Sequence, residues 1–189
     1  MSDPIRYDAA AGDRRVRRTR AALNAAFSRL VLSKGYERFT AADIARGADV
    51  GRSTFYEHYQ GKDDILAQSL VPVLTPLAES CCEGAPSPRL ALAVDHFWKV
   101  RTRARALLTG RARDVATRLL ARLIEDRLAA AHDTRGEAGL PRALVAAQIA
   151  SGQLAMLDEW LTGRHRCSAA QIAAALQGGA HAVAEALLK

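Results

Sequence analysis

No stretch of this sequence approaches the roughly 18 consecutive apolar residues of a membrane-spanning helix. The opening residues, MSDPIRYDAAAGDRR, also lack the apolar segment of a secretory signal. A cytoplasmic protein is therefore expected. β-Branched residues are sparse and never alternate with polar ones over a strand's length, which argues against a sheet-built fold. Ala, Leu and Arg are abundant instead, and all three favour helix, so the chain is expected to be all-α. Cysteine is scarce, with only Cys81, Cys82 and Cys167. An odd number without metal-ligand spacing excludes a disulfide framework. The adjacent pair leaves two readings, reduced and partly buried thiols or a redox switch. No nucleophile–base–orienter set, metal spacing or phosphate-cradling glycine loop is present, so neither catalysis nor a cofactor is expected.

What the sequence does have is positive charge. The formal net charge is +7 over 189 residues, a sign that suits an anionic partner such as nucleic acid. The charge falls in two zones. From Arg14 to Asp63 eleven Lys and Arg face five Asp and Glu, and from Lys99 to Arg127 nine face three, a net of +6 in each. The second zone, with Arg101, Arg103, Arg105, Arg111, Arg113, Arg118 and Arg122, reads as a solvated surface with intrahelical pairs, the alternative being a draw for an anionic ligand.

The first zone carries an organised pattern. Leu23, Phe27, Leu30 and Val31 share one face of a helix expected over 14–33. Its first turns hold Arg14, Arg15, Arg17, Arg18 and Arg20, which oppose the helix dipole and are better explained by an external anion than by stability. Thr40 reads as an N-cap, with Asp43 three residues on where a capping box places its acid. A tight turn, Ala48-Asp49-Val50-Gly51, separates that short helix from a second over 52–59. There Phe55 and Tyr59 point into a core, while Ser53 and Glu57 point away from it, flanked by Thr54, Tyr56 and His58. Two short helices across a tight turn, behind a longer basic helix, form a helix-turn-helix unit that reads the major groove of duplex DNA. Arg52 can pair with both acceptors of guanine, and Ser53, Thr54 and Tyr56 can reach base edges or phosphates. Lys62 opens the next helix, where its ammonium and the first amides can face an anion.

The segment FTAADIARGADVGRSTFYEHYQGKDDIL resembles the N-terminal signature of TetR-family transcriptional regulators, in register over roughly residues 14–66. The resemblance implies an all-helical homodimer on a palindromic operator of double-stranded DNA, with a C-terminal domain that binds a small-molecule effector. By motif position it implies DNA contacts from Thr40, Arg52, Ser53, Thr54, Tyr56, His58 and Lys62. The implied action is that of a repressor released by effector, with an activator or a redox sensor using Cys81 and Cys82 as alternatives. The chain departs from the family pattern at three places. Asp49 stands where the turn usually has Gly, and Asp tolerates left-handed backbone better than most residues. Gly51 replaces a hydroxyl N-cap at a cost of a few tenths of a kcal/mol. Gly47 replaces a common Ala and weakens its helix by roughly 1 kcal/mol.

Three parts are thus expected: a flexible arm over 1–13, a helix-turn-helix domain over 14–61, and a helical effector-binding and dimerisation domain over 62–189. In the last, Pro72 and Pro76 should kink or break the helix that starts near Asp63. Further helices are expected from Pro88 to about Leu108, from Arg111 to Ala131, from Pro141 to Leu161 and from Ser168 to Leu188. The helix from Pro141 has two apolar stripes. Val145, Ile149, Gly152, Met156 and Trp160 form one, and Ala147, Ala150, Leu154, Leu157 and Leu161 the other. With the Ala-rich last helix, it is expected to build a four-helix dimer interface from 141–162 and 168–188 of each chain. His96, Phe97, Met156 and Trp160 are candidate effector contacts, ordinary core packing being the alternative.

Overall fold

In the computed structural model, residues 9–82, 84, 87–131 and 139–188 are described. They form helices α1 (Ala9–Lys34), α2 (Ala41–Gly47), α3 (Arg52–His58), α4 (Lys62–Glu79), α5 (Pro88–Lys99), α6 (Arg101–Leu107), α7 (Gly110–Ala131), α8 (Arg142–Leu161) and α9 (Ala169–Leu187). A single 3₁₀ turn, Tyr36–Arg38, separates α1 from α2. No strand occurs among the described residues. The fold is all-α, as the composition required. The chain divides into two compact units, 1–65 and 66–189.

In the first unit most of the α1 stripe is buried: Leu23, Phe27 and Val31 are at most 3% exposed, while Leu30 is half-buried. Helix α1 begins at Ala9, so residues 9–13 belong to a helix rather than to the arm expected over 1–13; residues 1–8 lie outside the described part. Phe27, Tyr36 and Phe39 meet edge to face with ring centres 5.9–6.2 Å apart, a favoured aromatic geometry that adds to burial. Ile44, Ala45, Phe55, Tyr59 and Ile65 complete this core.

The second unit is a bundle in which α7 packs along α8, and α5 and α8 pack on α9. Helix α4 continues through Pro72 and Pro76, where a kink or a break was expected; the break does not occur. The carbonyls that their missing N–H groups would have served belong to Gln68 and Pro72, both exposed, so water can satisfy them. The helix expected from Pro88 to Leu108 is instead two, divided at Val100 (φ −109°, ψ 25°). At that corner Trp98 stacks on Trp160 with centres 4.8 Å apart, and the Arg101 guanidinium lies 5.1 Å from the Trp98 ring. Glu79, at the end of α4, receives Arg89 and Arg127 at 3.0–3.3 Å, and Arg113 on α7 meets Asp158 on α8 at 3.0 Å. Leu140 N donates to Leu187 O at 2.8 Å. The adjoining Gly139 is so close that a Cβ there would lie 2.8 Å from the same oxygen.

Candidate nucleic-acid interface

The turn between α2 and α3 is held from both ends. Thr40 caps α2 with a complete box: Asp43 N donates to Thr40 Oγ1 at 3.3 Å, and Asp43 Oδ2 accepts from Thr40 N at 2.9 Å and from Thr40 Oγ1 at 2.8 Å. The Thr40 backbone N–H, followed by its hydroxyl, holds the Asp43 carboxyl below the usual carboxylate range, with Arg46 at 3.0 Å assisting. At the other end Asp49 takes φ 56°. Val50 N then donates to Ala45 O at 3.0 Å and Asp49 N to Arg46 O at 3.2 Å, the paired bonds of a Schellman stop. Asp49 thus does what a glycine would do, in the left-handed region that Asp enters more readily than most residues. Arg29 reaches from α1 to the carbonyl of Gly47 at 2.7 Å and binds the negative end of α2.

Helix α3 is short and two-sided. Phe55 is fully buried and packs on Tyr56 and Tyr59 with ring centres 5.3 and 5.8 Å away. Tyr59 ends the helix one residue earlier than expected, in extended backbone (φ −144°), yet stays buried. Its hydroxyl accepts from Asn24 Nδ2 at 3.2 Å, and Arg20 lies 5.7 Å from its ring. With the back fixed, the front presents Arg52, Ser53, Tyr56 and Glu57, all exposed, with Tyr56 60% accessible. Thr54 and His58 are half-buried at its edges, the His58 ring 6.5 Å from that of Tyr59. Gly51 makes no side-chain cap.

The seven residues singled out from the sequence therefore fall into two groups. Arg52, Ser53, Thr54 and Tyr56 lie on or beside the outward face of α3, with His58 at its end. Thr40 and Lys62 have internal tasks. The Thr40 hydroxyl proton is given to Asp43, so a phosphate, which only accepts, would have to compete for it. Lys62 was expected to face an anion. Instead its Nζ donates to Tyr36 O at 2.8 Å and Phe39 O at 3.1 Å, and sits 4.3 and 5.1 Å from the centres of those two rings. Asp63 accepts from the Tyr36 hydroxyl at 2.6 Å, and Asp64 from Gln60 N at 2.9 Å. The first three residues of α4 thus bolt the 3₁₀ turn and the α3–α4 loop in place. Sequence spacing did not reveal the part of Arg29, because its partner lies eighteen positions away.

The candidate effector residues are not gathered in one cavity. His96 is exposed and Phe97 lies in the core. Trp160 is buried, stacked on Trp98, and gives its indole N–H to Cys167 O at 3.0 Å. Met156 is 39% exposed and lines an open groove of about 240 Å³ between α8 and α9, with Ile149, Gly152, Ala175 and Gly179. The first α8 stripe therefore splits, Val145, Ile149 and Trp160 turning inward and Gly152 and Met156 outward.

Residues 23–68 match the model of the bacterial regulatory proteins of the tetR family. An uncharacterized HTH-type transcriptional regulator, YxbF of Bacillus subtilis (strain 168), is 40% identical over 72 residues, which are 38% of this chain and 17% of that protein. The chain thus spans about a sixth of that relative's length. Among solved structures, a TetR transcriptional regulator from Streptococcus agalactiae 2603V aligns at 22% identity and TM-score 0.58, covering 92% of this chain and 99% of that one. A TetR-family regulator from Streptomyces coelicolor A3 aligns at 19% identity and TM-score 0.60, covering 89% and 96%. At these identities the likeness is one of fold.

Proposed function

We propose, from the match of residues 23–68 to the tetR-family model, that this chain is a TetR-family repressor that binds a palindromic DNA operator as a homodimer and leaves it when a small-molecule effector binds. The observation that carries the DNA-binding part is the two-sidedness of α3. Phe55 and Tyr59 anchor it from behind, and Arg52, Ser53 and Tyr56 stand in water on the other side. A helix this slim, with short hydroxyl side chains, can approach base edges closely. One such helix spans only a few base pairs. A twofold partner adds a second reading head one DNA turn away, about 34–36 Å, and the two energies add.

The dimer reading rests on the outer faces of α8 and α9. On α9, Ala170, Ala174, Ala175, Gly178, Gly179 and Ala182 are all exposed, a strip without one charge. Leu144, Ala147, Ala155 and Met156 continue it on α8. Side chains this small let helices approach closely, as a four-helix interface needs. Gln153 Oε1, buried beside the same groove, has no hydrogen-bond partner among the described residues, and a donor from a second copy would satisfy it. Repression and effector release follow from the family resemblance. Effector and operator need only favour different separations of the two heads, with a coupling of about 1–3 kcal/mol.

The test is selection of a binding site from random duplexes with the purified full chain, then titration of that site against unrelated DNA at several salt concentrations. A palindromic site, bound by two chains and far more tightly than unrelated DNA, is the expected result. A protein that binds no duplex even at low salt would overturn the proposal.

A further inference from the structure

Just past α4, in the second unit, the chain places two thiols side by side. Cys81 is 1% exposed and Cys82 is half-buried. Their sulfurs are 3.4 Å apart, and Cys81 Sγ lies 3.0 Å from the carbonyl of Ala78. A direct disulfide suits this pair poorly. Adjacent Cα atoms are about 3.8 Å apart, short of the roughly 4.4–6.8 Å that disulfides span, and the sulfurs would have to close to about 2.05 Å.

A single bridging atom fits better. With sulfur–centre bonds of about 2.3 Å, sulfurs 3.4 Å apart subtend about 95° at a shared centre. Tetrahedral zinc asks for about 109° and four ligands. Among the described residues no group of three or more His, Cys, Asp or Glu side chains gathers to supply them. A trivalent centre that carries a lone pair is pyramidal, keeps its bond angles closer to 90°, and prefers soft sulfur ligands. When it already holds one organic group, it needs only two sulfurs from the protein. We propose that Cys81 and Cys82 form a dithiol site for monosubstituted trivalent arsenicals. In the binding step two As–S bonds form, and the two S–H protons leave with the arsenical's oxide oxygen as one water. Arsenic stays trivalent, so no oxidant or reductant takes part. Burial raises the Cys81 pKa, which keeps the thiol protonated; the condensation consumes thiols directly and suits that state.

The test uses phenylarsine oxide on the reduced full-length protein, read by intact mass and by retention against excess 2-mercaptoethanol. One arsenic per chain, held against the monothiol and stripped by a small dithiol, is expected. Cys167→Ser should behave as the unaltered protein does. Cys82→Ser should lose two-point attachment and with it about 10²–10⁴-fold in retention. Because Cys81 is buried in the core, the half-buried Cys82 carries the test, and a thermal melt of Cys82→Ser checks that the fold is kept. Failure of the unaltered protein to bind, undiminished retention by Cys82→Ser, loss on Cys167→Ser, or two chains per arsenic would each overturn the assignment.

Discussion

Replacing Lys62 by Met keeps the aliphatic stem and removes the charge and its donors. Two charge-assisted bonds to Tyr36 O and Phe39 O disappear, and two aromatic rings lose their cation. Hydrogen bonds to charged groups are worth about 1.5–3 kcal/mol each, and a cation over a ring at a partly exposed site about 0.5–1 kcal/mol. The site is half-exposed, so water can reach the freed carbonyls and recover much of this. A net loss of about 2–3 kcal/mol is expected. For a domain of this size each kcal/mol moves the melting temperature by about 4–8 °C. The transition that reports on the first unit should therefore fall by roughly 8–24 °C. The DNA assay discriminates further. A phosphate-binding lysine contributes about 0.9 to the slope of log K against log salt. If Lys62 is an internal bolt, the Met variant, measured well below its melting temperature, keeps that slope. An unchanged melting temperature together with a slope reduced by about one would refute the reasoning and return Lys62 to the DNA.

Arg52→Ala is expected to cost about 1–3 kcal/mol on the selected site and much less on unrelated DNA, as loss of a base contact should; equal weakening on both, by titration, would make it a positioning residue. Thr40→Ala removes the cap of α2 and should lower stability by about 0.5–2 kcal/mol, read by denaturant midpoint. The same substitution should raise the Asp43 pKa in a carbon-13 NMR titration, because it removes the hydroxyl that helps to hold it low. That low folded-state value means Asp43 stabilises the domain at neutral pH. Its contribution is lost as pH falls from the usual carboxylate range through the folded value. Gly139→Ala should destabilise the second unit by about 1–3 kcal/mol, since the new methyl meets the Leu187 carbonyl at 2.8 Å; an unchanged denaturant midpoint would contradict that contact. Gly179→Arg adds a side chain at a position where a Cβ would meet no atom of another element within 4 Å among the described residues. It should leave the helical fold intact by circular dichroism while sedimentation shows the proposed dimer lost.

What the sequence determined by itself was local or periodic. The Thr40–Asp43 capping box, the left-handed Asp49 and the burial of Phe55 and Tyr59 behind an exposed Ser53 each depend on residues within about two turns. Such signals survive in one dimension, because capping, turn chemistry and helical periodicity act over a few positions. The structure decided what depends on distant neighbours. Lys62 turned inward because two carbonyls and two rings, twenty-three and twenty-six positions back, offer it more than solvent does. Arg29 found the free end of α2 eighteen residues away. Helix α4 continued through two prolines because the carbonyls they leave behind are on exposed residues. The stripe on α8 split because the bundle covers Val145, Ile149 and Trp160 and leaves Gly152 and Met156 open, and no spacing within α8 states which half of a two-sided apolar helix its own bundle will cover. Tertiary packing sets these outcomes by bringing together groups whose energies are comparable to local preferences and whose separation along the chain hides them.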